Sequence, residues 1–320
     1  MTGSTAAAER DRLAAFAFAS IARGSRSFAA AARLFDPATR IRASLLYAWC
    51  RACDDMIDGQ DHGGTMASVD DPAARLARVR SLTDAALAGE ETNEPAFDCL
   101  ALVARECALP RHYVDDVVAG FALDSAGWAP ATLPDLMTYC YHVAGAVGCL
   151  MAIVMGVAPD DEAMLDRACD LGLAFQLANV ARDVAEDAAA GRCYLPRGWL
   201  IEMDLAKDML LAPEARPRLA ILTRRLADLA ARHEASARAG TARLPFRSAW
   251  AVLAAAGIYG GIARKVRARG ERALDRRVVT GTAEKLAWLL RSAVQSGLRT
   301  RFYPQEDRDP ILWPRPRAVL

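Results

Sequence analysis

Residues 171–181, Leu-Gly-Leu-Ala-Phe-Gln-Leu-Ala-Asn-Val-Ala, are apolar nearly all round, and a helix of that kind is stable only in the interior of a fold. The run leads directly into Arg182-Asp183-Val-Ala-Glu186-Asp187. Spacing of four stacks Asp183 and Asp187 on one helix face about one turn apart, with Asn179 a turn earlier. Like charges so placed destabilise a helix by roughly 0.2–0.5 kcal/mol, so a cation is expected to compensate, and a divalent metal is the economical candidate. Acidic pairs at this spacing are common on solvated faces. What argues against that reading here is the apolar helix that carries them, because buried charges must be paired or bind metal.

A second pair repeats the pattern. Asp36-Pro37 reads as the N-cap and first residue of a helix that carries Leu45, Leu46, Tyr47, Trp49 and Cys50. It ends in Arg51-Ala-Cys-Asp54-Asp55-Met-Ile-Asp58, with Gly59 to Gly64 following as a loop. Two such clusters on separate apolar helices, facing each other across a bundle, would form a multi-carboxylate site for hard cations. Oxygen ligands without histidine suit Mg²⁺ or Mn²⁺. A di-iron bundle needs Glu-x-x-His pairs, and none of His62, His112, His142 or His233 has a glutamate three residues before it.

The 320 residues show no break in composition and read as one domain over 1–301, with residues 1–10 flexible. A hydrophobic content of 53% with only 7% aromatic, rich in Ala and Leu, favours packed helices over sheet, so the expected class is all-α. A net charge of +1 leaves no footprint for nucleic acid. Eight cysteines without paired spacing read as reduced, buried thiols of a cytoplasmic protein, and the lone Cys50-x-x-Cys53 as core packing rather than a zinc site. The first twelve residues lack the apolar core of a signal peptide, and the apolar run 143–158 is short and glycine-containing, so any membrane contact is expected to be peripheral.

Further helices are read over 72–89, 95–107, 111–123, 134–157, 218–243, 245–269 and 282–301. Near Gly24, the residues Arg23, Ser25, Arg26 and Ser27 offer donors for an anion, with a kinked, solvated turn as the plain alternative. The Gly- and Ala-rich stretch 139–148 leaves room beside its backbone either for a neighbouring helix or for a hydrocarbon chain. After the acidic helix, Gly191-Arg192-Cys-Tyr194-Leu-Pro196 places a cation and a phenol beside the carboxylates. The tail 302–320 carries Trp313, Arg308, Arg315, Arg317 and four prolines. It reads as a disordered strap, or as a weak anchor to an anionic membrane, with disorder the preferred reading.

These stretches, together with Gly24-Ser-Arg-Ser27-Phe28, Tyr47 to Asp58, Tyr139 to Gly148 and Phe175 to Pro196, resemble the phytoene/squalene synthase family of head-to-head prenyl synthases, and within it the bacterial phytoene-forming branch. The resemblance implies an isoprenoid-synthase helical bundle around a central apolar cavity. It also implies three Mg²⁺ ions that bridge two aspartate-rich motifs to diphosphate, with Mn²⁺ as a substitute and no NADPH. By position it implies Asp54, Asp58, Asn179, Asp183 and Asp187 as metal ligands. Ser25, Ser27, Arg51, Arg182 and Arg192 are implied in diphosphate binding, and Tyr47, Arg51 and Tyr194 in catalysis. Where relatives often carry a basic residue after Asp124, this chain has Ser125-Ala-Gly127, which leaves one diphosphate contact open.

The implied reaction condenses two geranylgeranyl diphosphates through prephytoene diphosphate to phytoene, the first committed step of carotenoid biosynthesis. Squalene or dehydrosqualene synthesis from farnesyl diphosphate is the alternative within the family. A non-catalytic assembly or binding protein of the same fold is the alternative of another class. Such a protein would be expected to lose one or both acidic clusters, and this chain has both.

Overall fold

The computed structural model describes residues 2–24, 26–58, 71–304 and 306–317, and every regular element among them is helical. Within the stretch expected as a single domain, the residues group into two compact units: 1–126 with 150–161, and 127–149 with 162–320.

The first unit contains α1 (Thr2–Gly24), α2 (Arg26–Ala32), α3 (Pro37–Asp58), α4 (Pro72–Ala88), α5 (Pro95–Cys107) and α6 (Arg111–Ser125). Its centre is α3, whose Leu45, Leu46, Trp49 and Cys53 are buried where the helix packs against α1 and α5. The helix starts follow the local rules. Asp36 accepts from the Thr39 amide at 3.0 Å and Asp71 from the Ala74 amide at 2.9 Å, each with proline next in the chain. Gly89, at φ +78°, closes α4 in the left-handed conformation that a side chain would strain. At the N-terminus α1 begins at Thr2, and Arg10 donates to Glu106 at 2.7 Å, an acceptor it shares with Arg42 at 2.9 Å. A half-buried carboxylate holding two guanidiniums ties down a stretch whose composition alone looks unanchored. The loop 59–64 lies outside the described residues.

The second unit is organised around α9 (Glu162–Ala189), the helix containing the apolar run. Gly172, Leu173, Ala174, Leu177, Ala178, Val180, Ala181 and Val184 are buried on it. Around it pack α7 (Leu133–Cys140), a π-helical turn (Tyr141–Gly145), the start of α8 (Ala146–Val154), α11 (Arg216–Gly240) and α12 (Phe246–Arg269). The shorter α10 (Arg197–Glu202), and α13 (Thr282–Gly297) with α14 (Arg299–Phe302), complete it.

The single helix expected over 134–157 is interrupted by the π turn. At that turn the glycines serve helix packing. A Cβ on Gly145 would lie 2.9 Å from Cys169 Sγ, one on Gly148 would strike the Ala168 carbonyl, and one on Gly172 would strike the Ala144 carbonyl. The missing side chains let two backbones meet where a Cβ would hold them apart.

The tail is the largest correction. Instead of a disordered strap or free anchor, residues 306–317 lie against α9. Arg308 bonds both oxygens of the fully buried Asp170, at 2.9 and 2.7 Å. His233 Nδ1 at 2.8 Å and the Ser236 hydroxyl complete that carboxylate's shell. Arg315, 4% exposed, reaches Asp166 at 3.2 Å and Glu162 at 2.5 Å, and Arg317 pairs with the same two acids. Leu312 is buried and the Trp313 ring lies 5.8 Å from Tyr141. Proline content rules out a helix, yet an acidic row at spacing four on α9 supplies what the tail's guanidiniums need to dock.

Candidate active site

In the second unit, α9 delivers Gln176, Asn179, Arg182, Asp183 and Asp187 to one cleft of about 200 Å³, joined there by Tyr139, Arg192 and Tyr194. The four-residue periodicity that placed the two carboxylates together in sequence holds in the fold. Both are largely buried, each with a side chain 16% exposed. Asp183 is held by two guanidiniums. Arg182 donates from Nε at 2.6 Å, and Arg277 donates from Nε at 2.9 Å and from Nη2 at 3.1 Å. Burial pushes the Asp183 carboxyl up, but these charged bonds outweigh it and hold the group below the usual carboxylate range.

Arg277 also stands 3.3 Å from Glu186, and Arg192 stands 3.8 Å from Asp187. The Asn179 amide donates to Gln176 Oε1 at 3.4 Å. Tyr194 stacks on Tyr139 with ring centroids 4.9 Å apart, and Tyr139 on Trp128 at 5.5 Å, so the phenols stand on an aromatic column. Tyr259, half-buried and stacked on Phe175 at 4.3 Å, has its phenol pushed up by desolvation while the charge of Arg182 opposes the shift.

The first unit carries the other acidic motif. Arg51 Nη1 meets Asp54 at 3.0 Å and Arg51 Nε donates to Asp55 at 3.0 Å. The Asp54 side chain is 45% exposed, which leaves it accessible from solvent. Tyr47 stacks on Phe28 at 4.9 Å, and α1 ends against this pair: a Cβ on Gly24 would lie 2.5 Å from the Tyr47 hydroxyl and 3.4 Å from Arg51 Cδ. Ser25 and the side chains of Ser27 and Asp58 lie outside the described residues. Cys50 and Cys53 are free thiols, and burial pushes Cys50 up to about 12, so both stay protonated as packing groups.

Arg277 was missed in the sequence because nothing in Asp275-Arg-Arg277 signals that it returns to a carboxylate 94 residues earlier. Gln176 stands inside the apolar run 171–181, where its sequence position assigns it no role, and the same holds for Trp128 after Gly127.

Among the described residues, no three His, Cys, Asp or Glu side chains cluster closely enough to hold a metal by themselves. The donors on the α9 face are oxygens only, from two carboxylates and two side-chain amides. That set fits Mg²⁺, which typically takes one or two carboxylates and completes its octahedron with water and substrate phosphate. The surrounding guanidiniums favour an anionic ligand over a bare cation.

Comparison with known proteins places this geometry. The squalene/phytoene synthase family model matches residues 21–284, and the chain belongs to that family. A phytoene synthase from Pseudescherichia vulneris is 47% identical over 92% of this chain and 96% of its own length. A 15-cis-phytoene synthase from Pantoea ananas is 46% identical over 92% and 94%. Among solved structures, a dehydrosqualene synthase in complex with a ligand superposes with a TM-score of 0.80 at 26% identity, covering 91% of this chain and 98% of that one. A squalene synthase from Alicyclobacillus acidocaldarius gives 0.70 at 24%, covering 82% and 96%, and shows the fold alone. The expected all-α isoprenoid-synthase fold is thereby established.

Proposed function

We propose that this chain is a phytoene synthase: a prenyltransferase that condenses two geranylgeranyl diphosphates head to head, through prephytoene diphosphate, to phytoene. The observation that carries the reading is the 47% and 46% identity to phytoene synthases across 92% of the chain, and an α9 cleft lined by Arg182, Arg192, Asp183 and Asp187 supports it.

Arg182, Arg192 and Arg277, which pair with Asp183 and Asp187 here, are the guanidiniums we assign to a diphosphate in the second unit, and Arg51, with Ser25 and Ser27, those in the first. Asp183, Asp187 and Asn179 on one unit, and Asp54 and Asp58 on the other, would hold Mg²⁺. When bound, the metal supplies positive charge to the leaving diphosphate oxygens. Preorganised guanidiniums stabilise the same developing charge, which is strongest where water is excluded. The C1–O bond of one substrate breaks to give an allylic cation and diphosphate, and the C2=C3 bond of the other attacks that cation. Loss of a proton closes the cyclopropane. A second C–O cleavage, rearrangement and proton loss give phytoene, so two diphosphates and two protons leave and no hydride is needed. The departing diphosphate and the Tyr194 hydroxyl are the proton acceptors proposed. Apolar walls of a central cavity would shield the cations from water.

The reading is tested by incubating purified protein with geranylgeranyl diphosphate or farnesyl diphosphate and Mg²⁺, without NADPH, and identifying the hydrocarbon. The expected product is the C40 compound. Chelation with EDTA is expected to abolish turnover and added Mg²⁺ to restore it. Only a C30 product would end the phytoene assignment, and full activity in EDTA would end the metal assignment.

A further inference from the structure

The helix α13 is packed inside out. Its inner face, against α12, presents Ser292 and Ser296, both fully buried, and Trp288, whose ring covers Gly257. The Trp250 indole donates to the Leu289 carbonyl at 2.9 Å and Ser296 Oγ donates to the Phe246 carbonyl at 2.7 Å, which fixes this orientation. The outer face carries Leu286, Leu290, Val294, Leu298 and, on α14, Phe302, each between 47% and 65% exposed. The four-residue spacing makes them one continuous stripe. Phe246, 44% exposed, adjoins its C-terminal half through the Ser296 contact. Scattered exposed leucines need no explanation, but an ordered row of five on a helix that buries serines does.

The charges beside the stripe indicate the occupant. Residues 282–302 contain Lys285, Arg291, Arg299 and Arg301 against the single acid Glu284, which bonds Lys265 at 2.5 Å. Arg291 lies 5.2 Å over the Trp288 ring and Arg299 donates to the Ser296 carbonyl at 2.9 Å, so both heads are held along the flank of the helix, between the buried face and the stripe. A second copy seated two-fold on this face would bring like charges together. An anionic lipid surface complements both halves of the pattern, with leucines entering the acyl boundary and arginines at the headgroups.

We infer that the outer face of α13 and α14 seats this protein on an anionic membrane as a peripheral, non-spanning contact. The tail, whose arginines are engaged by Glu162, Asp166 and Asp170, is not the anchor.

The test is co-sedimentation of the full chain with vesicles of phosphatidylcholine alone and of phosphatidylcholine mixed with phosphatidylglycerol, alongside light scattering of the free protein. The chain is expected to bind the anionic vesicles and to bind them less in high salt. The double variant Leu290→Glu, Val294→Glu should lose about tenfold or more in vesicle affinity, and Arg301→Glu several-fold, with the thermal melt of each unchanged. Should the double variant fold poorly, Leu290→Gln is read in its place. Absence of binding to either vesicle, or a double variant that binds like the parent, overturns the inference. So does a concentration-dependent dimer that the double variant dissociates, which would give the face to a second copy. The readout needs no turnover, so it stands or falls separately from the proposed activity.

Discussion

Asp183 is the residue on which the proposed chemistry turns, and its carboxylate sits between a neighbour in sequence, Arg182, and a distant one, Arg277. A carboxylate kept below its ordinary pKa stays ionised through neutral pH and presents a full charge to a ligand. Replacement by asparagine keeps the shape and removes the charge. Asp183→Asn is expected to lower kcat by at least about a hundredfold, the scale on which a single charge-stabilising group acts. The helical circular dichroism spectrum should stay near that of the parent. Activity within a few fold of the parent in a steady-state assay would count against any metal role for this side chain. Half of this arrangement is readable in the chain, since Asp183, Asp187 and Asn179 follow from helical period. The half supplied by Arg277 is not, because a contact across 94 residues leaves no local pattern.

At the scale of elements, the close meeting of α9 with the π turn and α8 rests on Gly145, Gly148 and Gly172. The sequence left open whether the Gly- and Ala-rich stretch made room for a helix or for a hydrocarbon chain. At these three positions a helix fills the space. Adding one methyl at Gly172 drives it into the Ala144 carbonyl, so the two helices must separate. Overpacking of this kind costs about 1–3 kcal/mol. Gly172→Ala is therefore expected to shift a urea unfolding midpoint downward, and an unchanged midpoint would show that the backbones part without strain. Helix α13 carries the converse lesson. Its sequence reads as amphipathic, and an amphipathic pattern ordinarily assigns leucines to the core. Here Trp288, Ser292 and Ser296 form the inner face because α12 approaches closely enough to favour small hydroxyls there.

At the scale of the whole molecule, the Arg308–Asp170 pair joins residues 138 apart and holds the tail to α9. Burial pushes the Asp170 carboxyl up. The bonds from Arg308 and His233 and from Ser236 outweigh that and hold it below the usual range. A depressed carboxylate contributes its stability in full above the unfolded value, about 3.9, and loses it as pH falls through the lower folded value. Arg308→Met leaves that charge buried with its main cation gone, at a cost of about 3–5 kcal/mol. The difference in unfolding free energy between parent and variant should be largest at neutral pH and shrink below about pH 4. A neutral-pH difference under about 1 kcal/mol would mean that the tail is held by its apolar contacts and not by this pair.

Local rules carried much of what was legible in this chain. Proline and aspartate marked helix starts, Gly89 marked a helix end, and helical period put Asp183 and Asp187 on one face of a helix too apolar to lie outside. Those inferences succeed because they depend on residues within a turn or two of each other. The tertiary structure alone decided that Arg277 shares Asp183, that the tail docks on Asp170, and that α13 turns its leucines outward. Each depends on which distant surface arrives beside a helix, a matter of chain entropy and packing over the whole fold that no window of sequence contains.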